Sequence, residues 1–241
     1  MKRALVFQHM DYDHPGRFLD FFSEDGIVPE MVRLWEGQKI PNLAPYDFLF
    51  VLGGAQDTWQ VEEHTWMLEE KAAIREWVWD RAKPYFGVCL GHQLLCDALR
   101  GEVALAGEAE VGVFDVSLTL DGREHGLFAG LDSSNKVMQW HWAEVKRAPQ
   151  EAKVLAASAR SAIQAIAIDS HAVSTQFHCE FTPQTMAAWS SMPSYLSSLD
   201  KYNGAGAYRR LVDEATPLMP QMARMTRRIY DNLMLSTGLR K

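Results

Sequence analysis

The sequence predicts a doubly wound α/β chain, and three stretches carry that prediction. A short apolar strand opens the chain at Ala4–Gln8, a continuous apolar run at Phe48–Leu52 ends in the pair Gly53–Gly54, and Tyr85–Val88 leads through Cys89 into a segment with helical spacing. Unbroken apolar runs of this length suit strands covered on both faces, as in a parallel sheet. Interleaved with helical segments, they give the order β-α-β-β-α-β-α.

Taken in order, Gln8–Gly16 is a polar loop rich in acids and histidines, Arg17–Ser23 reads as a helix, Pro29–Leu34 alternates as a strand, and Pro41–Pro45 turns. The spacing predicts a helix over Met67–Arg81, with Leu68, Ala72, Ile74, Val78 and Trp79 near one face and Glu69, Glu70, Lys71 and Glu76 outside. After Gly101 the texture changes to short alternating segments: Val111–Leu120, Val137–Trp140, Val154–Ala157, Ile163–Ile168 and Ala172–Phe177, with a hairpin turn at Asp169–Ser170. Thr182 before Pro183 is a good helix start, and the chain then reads as helical to Lys241, broken at Pro193, Asn203–Gly206 and Pro217–Pro220.

Composition narrows the function classes. A net charge of −7 with no basic run argues against nucleic acid as a partner, because phosphate binding needs clustered Lys and Arg. No apolar run approaches the ~20 residues that cross a bilayer, so no membrane partner is expected. The first residues read as a strand and not as a signal peptide. Three widely spaced cysteines make a disulfide framework improbable and a reducing, cytoplasmic setting the natural expectation.

The chemistry centres on Lys83–Gly101. A cysteine between Gly87 and Gly91, where a strand stops and a helix starts, has the layout of a nucleophile elbow. The tight turn lifts the sulfur out of the sheet and sets it at a helix N-terminus, which favours a thiolate. A buried structural cysteine in an ordinary β–α turn is the plain alternative, and other stretches decide. In STQFHCEFTP, His178 and Glu180 lie two apart at the end of a strand-like run, so alternation puts both on one face. A carboxylate beside an imidazole holds one tautomer and stabilises the imidazolium. Alone, the pair also fits a polar strand end facing water; with Cys89 it completes a set of nucleophile, base and orienter. The Gly53–Gly54 pair leaves backbone N–H groups uncovered. One of them, with the N–H of Leu90, would make an oxyanion hole. No G-K-[ST] or G-x-G-x-x-G phosphate loop follows a strand.

Together these residues resemble the class I (triad) glutamine amidotransferases. Gly87-Val88-Cys89-Leu90-Gly91-His92-Gln93 is similar to their nucleophile motif, and Gln176–Glu180 to their second motif. The resemblance is nearest to stand-alone members with a GMP-synthetase-like glutaminase domain. It extends over the opening HMDYDHPGRF, the Gly53–Gly54 segment, Glu70–Arg75, Glu110–Gly112 and Gln139–Val145. It implies a flavodoxin-like fold, mostly parallel, with an antiparallel extension and C-terminal helices. Residues 1–190 would form the catalytic domain and 191–241 a helical extension packed on it.

The resemblance also implies a reaction. Cys89 would attack the side-chain amide of glutamine, form a γ-glutamyl thioester and release ammonia, with His178 and Glu180 completing the triad. Gly54 and Leu90 would bind the oxyanion, and Gln93, Gly53 and His141 the substrate; no cofactor is implied. The chain shows no ATP loop and no second α/β unit, which leaves a free-standing hydrolase or the glutaminase partner of a separate synthetase subunit.

Two departures stand out. Cys179 replaces the usual proline between His178 and Glu180. Ala143 replaces the aspartate that reads the substrate amine in many relatives, with Glu144 as its only near substitute. This widens the expected substrate to γ-glutamyl amides and peptides. Cys96 reads as core, and Trp59, Trp66, Trp140 and Trp142 read first as packing or rim and second as a substrate-facing aromatic wall. His9, His14, His64, His125 and His171 read as loop or surface residues. His171, His178, Cys179 and Glu180 lack zinc-ligand spacing. The rivals are a γ-glutamyl peptidase, a non-catalytic binding protein on the same fold and a cysteine redox sensor.

Overall fold

The computed structural model describes residues 1–240. Strand β1 (Lys2–Gln8) pairs in parallel with β2 (Ile27–Arg33) and with β3 (Phe48–Val51); β3 pairs with β4 (Tyr85–Val88). The antiparallel half comprises β5 (Glu102–Leu118), β6 (Ser134–Arg147), β7 (Ala152–Ser158) and β8 (Ala165–Ile168), and β9 (Ala172–Thr175) joins it to β4, to which it runs parallel. The nine-stranded sheet has the order β2-β1-β3-β4-β9-β8-β7-β5-β6. The helices are α1 (Phe18–Glu24), α2 (Trp66–Arg75), α3 (Leu90–Ala98), α4 (Leu120–Glu124), α5 (Pro183–Ser190), α6 (Pro193–Asn203), α7 (Ala207–Ala215) and α8 (Met219–Ser236). Among the described residues, no helix is long and apolar enough to cross a membrane.

Strand alternation sorts the core into two faces. On one, Ala4, Val6, Phe48, Phe50 and Phe86 meet Phe18 and Phe22 of α1 and Ile229, Tyr230 and Leu233 of α8. On the other, Leu5, Phe7, Leu49, Val51 and Tyr85 meet Met67 and Ile74 of α2 and Leu94 and Leu95 of α3. Each fully buried aliphatic or Phe side chain contributes roughly 1.5–3 kcal/mol. A third cluster joins Val111, Met138 and Trp140 of the β5–β6 arm to Trp189, Tyr195, Leu199 and Leu211 from α5, α6 and α7. The β5–β6 arm is longer than the alternation in its sequence suggests, because its first half faces solvent and carries little apolar signal.

Three expectations need correction. The helix expected over Met67–Arg81 stops at Arg75 and continues as a π-helical turn, Glu76–Asp80. Its buried stripe is Met67, Glu70, Ala73 and Ile74, continued by Trp77 and Val78, so Glu70 lies inside while Leu68 and Trp79 are exposed. Charge alone points the Glu70 carboxylate at solvent, whereas a histidine just beyond β1 meets it in the core. Last, β9 ends at Thr175. His178 then makes an isolated antiparallel bridge with Met138, so it reaches its place by pairing with β6 and not by continuing β9.

The helix that follows the elbow lies against the end of β3. A Cβ on Gly91 would stand 2.2 Å from the Val51 carbonyl oxygen and 2.8 Å from the carbonyl carbon. Helix propensity alone favours alanine there by about 1 kcal/mol, but backbone cannot yield as a side-chain tip can. Gly91→Ala is therefore expected to lose about 2–3 kcal/mol of stability in urea unfolding. A variant as stable as the wild type would show that α3 can lift off β3 at no cost.

Candidate active site

Cys89 stands between β4 and α3 with φ 51° and ψ −108°, a backbone conformation that L-residues rarely adopt. Such strain costs on the order of 1–3 kcal/mol and persists only where the surroundings over-determine it. Here they do. The Cys89 N–H donates to the Thr175 carbonyl at 2.9 Å, the Gly91 N–H to Leu52 at 3.1 Å, and the Tyr85 hydroxyl to the Gly91 carbonyl at 2.8 Å. The sulfur lies 3.7 Å from the Trp140 carbonyl oxygen, and the residue is almost wholly buried.

The structure brings His178 and Glu180 to this cysteine. Nδ1 of His178 donates to Oε1 of Glu180 at 2.6 Å, which leaves Nε2 for the sulfur. Burial opposes a charged ring, yet the Glu180 carboxylate and the adjacent Cys89 sulfur outweigh it and raise the His178 pKa well above its ordinary value. Trp189 packs edge-on to the His178 ring, centroids 5.1 Å apart. Gly53 lies between the two functional groups: a Cβ there would stand 3.2 Å from His178 Cε1 and 3.6 Å from Cys89 Cβ. Cys179, in place of proline, is buried in the core beside α8.

The N–H groups of Gly54 and Leu90 have no acceptor among the described residues. Leu90 is the first residue of α3, where a helix leaves its N–H groups unpaired. Gly54 and Leu90 are in close approach: a Cβ on Gly54 would stand 2.8 Å from Leu90 Cδ2. Two N–H groups without acceptors thus come from residues near Cys89, one of them sharing its cleft.

Gly54, Gln56, Asp57, Cys89, Gln93 and Ala143 line a narrow cleft with only about 10 Å³ of free volume, with Trp140, His141 and Trp142 on the same wall. That is far below the ~300–1,000 Å³ of drug-sized sites. Gln93 donates to the Ala143 carbonyl at 3.0 Å and to Gln176 Oε1 at 3.1 Å, which orients its amide. His141 is held on both nitrogens, by the Ala143 carbonyl at 2.8 Å and Glu110 at 3.0 Å, and so forms wall and not a free ligand. A buried network continues behind it: Gln164 donates to Glu110 at 2.6 Å and accepts from Gln139 at 2.6 Å. The neighbouring His92 bonds Ser174 at 2.8 Å, and burial pushes its pKa down to about 3, so the ring is neutral. Glu144 pairs with Lys146 and does not line the cleft.

Three features escape the reading of the sequence. Asp57 lines the cleft, its Oδ1 accepting from Trp142 Nε1 at 3.1 Å; partial burial raises its pKa. Asp13 joins Cys89 and His178 in a second small recess, under Trp189 and Tyr195. It accepts from Trp189 Nε1 at 3.1 Å, and burial followed by the Glu180 charge pushes its carboxyl above the usual range against the pull of His178. The loop carrying it is pinned at Gly16, where a Cβ would meet the Glu180 carbonyl oxygen at 2.0 Å. The third is a correction. His9, expected at the surface, is fully buried, with Nδ1 2.7 Å from the Gly53 carbonyl oxygen and Nε2 2.8 Å from Glu70 Oε1. The acidic, histidine-rich loop is visible in the sequence, but its partners lie 44 and 61 residues away.

Residues 25–189 match the family model described as glutamine amidotransferase class-I. The chain belongs to the class I glutamine amidotransferase family. Among curated relatives of this amidotransferase chain, a glutamine-hydrolyzing GMP synthase subunit of Sulfolobus acidocaldarius is 29% identical, covering 75% of this chain and 89% of the relative. A gamma-glutamyl peptidase 2 of Arabidopsis thaliana is 22% identical, over 70% of this chain and 68% of the relative. A solved glutamine amidotransferase from Thermotoga maritima superposes with a TM-score of 0.86 at 24% identity, covering 96% of this chain and 97% of that one, and so shares the flavodoxin-like fold.

The class I amidotransferase chain carries three free cysteines in unlike settings. Cys96 and Cys179 are buried away from both recesses, and burial raises both thiols. Only Cys89 lines them. Iodoacetamide is expected to label the folded protein at Cys89 first, at least ~10-fold faster than elsewhere, as thiolate reactivity requires. Peptide mapping that found Cys96 or Cys179 modified first would contradict this reading of the site.

Proposed function

We propose that the chain is a cysteine-dependent amidohydrolase that cleaves the γ-glutamyl amide bond, with glutamine as substrate and ammonia as the released amine. The observation that carries this reading is Cys89 at a strained elbow, flanked by the bonded His178–Glu180 pair and two unpaired N–H donors. The Cys89 sulfur attacks the amide carbon, forming a C–S bond, and the carbonyl electrons move to an oxyanion held by Gly54 and Leu90. Collapse breaks the C–N bond, and His178 delivers the proton that lets ammonia leave. Water, giving its proton to His178, then attacks the thioester carbon; the C–S bond breaks, and glutamate and the free cysteine remain. Glu180 holds the imidazole in the needed tautomer throughout.

The α-ammonium end of the substrate is read by Asp57, which sits in the cleft with Gln93 and stands in for the carboxylate missing at Ala143. The chain acts alone or feeds ammonia to a separate synthetase subunit; the likeness to the Sulfolobus GMP synthase subunit, over most of its length, supports the second arrangement. Three free, buried cysteines accord with a reducing cytoplasmic setting. A γ-glutamyl peptidase is the second reading, favoured by Ala143 and by the plant peptidase relative.

Assay of ammonia, amine and glutamate release across glutamine and a panel of γ-glutamyl amides and peptides separates these readings. Cys89→Ala is expected to abolish release, and His178→Ala to lower kcat by ~10²–10⁴-fold. No release from any panel member, together with no labelling of Cys89 by a glutamine-like chloroketone, would leave the non-catalytic alternative standing. Asp57→Asn should cut the preference for glutamine over 4-carbamoylbutanoate, which lacks only the amine, by at least ~10-fold, the size of a lost charged contact. An unchanged preference would remove Asp57 from substrate recognition.

A further inference from the structure

We infer that the buried His9–Glu70 pair is a positioning device for the oxyanion hole: it holds the Gly53–Gly54 peptide so that the Gly54 N–H faces Cys89. This inference rests on the catalytic reading above. His9 and Glu70 are both fully shielded from solvent, and neither touches Cys89, His178 or Glu180 through a hydrogen bond. His9 directly follows β1; Glu70 comes from α2. The histidine links the carboxylate to the glycine pair.

The geometry assigns the protons. The Gly53 carbonyl can only accept, so the His9 Nδ1 at 2.7 Å carries a hydrogen and donates it. The other nitrogen lies 2.8 Å from Glu70 Oε1 and donates to it when Glu70 is a carboxylate. With Glu70 ionised the ring donates from both nitrogens and is an imidazolium. Burial works against that charge, but Glu70, the Gly53 carbonyl and Asp13 together raise the His9 pKa. Trp66 stacks on the ring, centroids 5.5 Å apart and planes 18° apart, within cation–π range.

The consequence for the hole follows from peptide planarity. In a planar trans peptide the C=O of Gly53 and the N–H of Gly54 point in opposite directions. Fixing the carbonyl toward His9 therefore fixes the N–H toward the recess that Gly54 shares with Cys89. Two adjacent glycines have no side chains to hold that plane, and the Gly54 N–H has no acceptor of its own among the described residues. Without His9 the plane is free to rotate. A buried ion pair is a weak source of stability compared with apolar side chains of the same volume; an apolar pair would fill the space but could not hold a carbonyl.

The test compares two double variants, H9N/E70Q and H9L/E70Q. Both remove the charge pair; only asparagine, whose side-chain nitrogen falls near the place of Nδ1, keeps a donor for the Gly53 carbonyl. With a γ-glutamyl amide that the wild type hydrolyses, H9L/E70Q is expected to lose ~10²-fold in kcat, the scale of one oxyanion donor, and H9N/E70Q less than ~10-fold. KM should stay within about twofold for both, because the lost contact acts in the transition state. Alkylation of Cys89 by iodoacetamide, which passes through no oxyanion, should proceed at similar rates in both, as a collapsed site would not allow. Equal kcat losses in the two variants, or losses matched by the alkylation rate, would overturn the positioning role. In ¹⁵N-histidine-labelled wild type, which needs neither variant nor substrate, His9 should show a proton on Nδ1; a bare Nδ1 would also overturn it. A wild type that hydrolyses no γ-glutamyl amide would refute the proposed function instead, and the ring measurement would still decide the anchoring of the peptide.

Discussion

The contact on which the site depends is the approach of α3 to the end of β3, backbone against backbone at Gly91 and Val51. Only a residue without a Cβ permits it. Because α3 sits so low, its first N–H groups rise beside the loop that leaves β3, and Leu90 comes into contact with Gly54. Cys89, two residues before Gly91, takes its positive-φ turn at this same junction. One steric allowance thus sets the proposed nucleophile, the two N–H groups proposed as oxyanion donors and the mouth of the cleft.

Around this elbow the polar groups are arranged in layers of decreasing contact with the chemistry. His178 lines the recess with Cys89, Glu180 is bonded behind it, and Asp13 comes from the β1–α1 loop to the same recess. Behind the opposite wall, Glu110, His141, Gln139 and Gln164 form a bonded set that stiffens the β5–β6 arm where it borders the cleft. Each is buried, and each would be costly unpaired. The roof is aromatic: Trp189 and Tyr195, from α5 and α6, pack on Trp140 and cover the recess with Asp13. A site so enclosed strengthens every charge interaction within it.

Much of this is legible in the order of residues. The parallel strands announce themselves as unbroken apolar runs, and Cys89 between two glycines announces the turn. His178 and Glu180, two apart, share a face as alternation requires, although the chain has already left β9 there. The positions that mislead share one cause. Its charge places Glu70 in solvent, and its loop places His9 at the surface; each is buried only because the other is there. A rule that sorts residues one at a time cannot see a pair that cancels its own polarity.

Residue order carries the strand-and-helix order of the first half, the elbow, and the residue types proposed as nucleophile, base and orienter. These are short-range matters: periodicities of two and 3.6, and motifs a few residues long. Tertiary structure alone decided that Asp57 enters the cleft while Glu144 does not, that Asp13 stands beside His178, that the helices after Pro183 form the roof, and that His9 reaches the Gly53 carbonyl. Those outcomes depend on contacts between residues far apart in the chain, and they begin where the elbow began, with a glycine that lets one backbone lie against another.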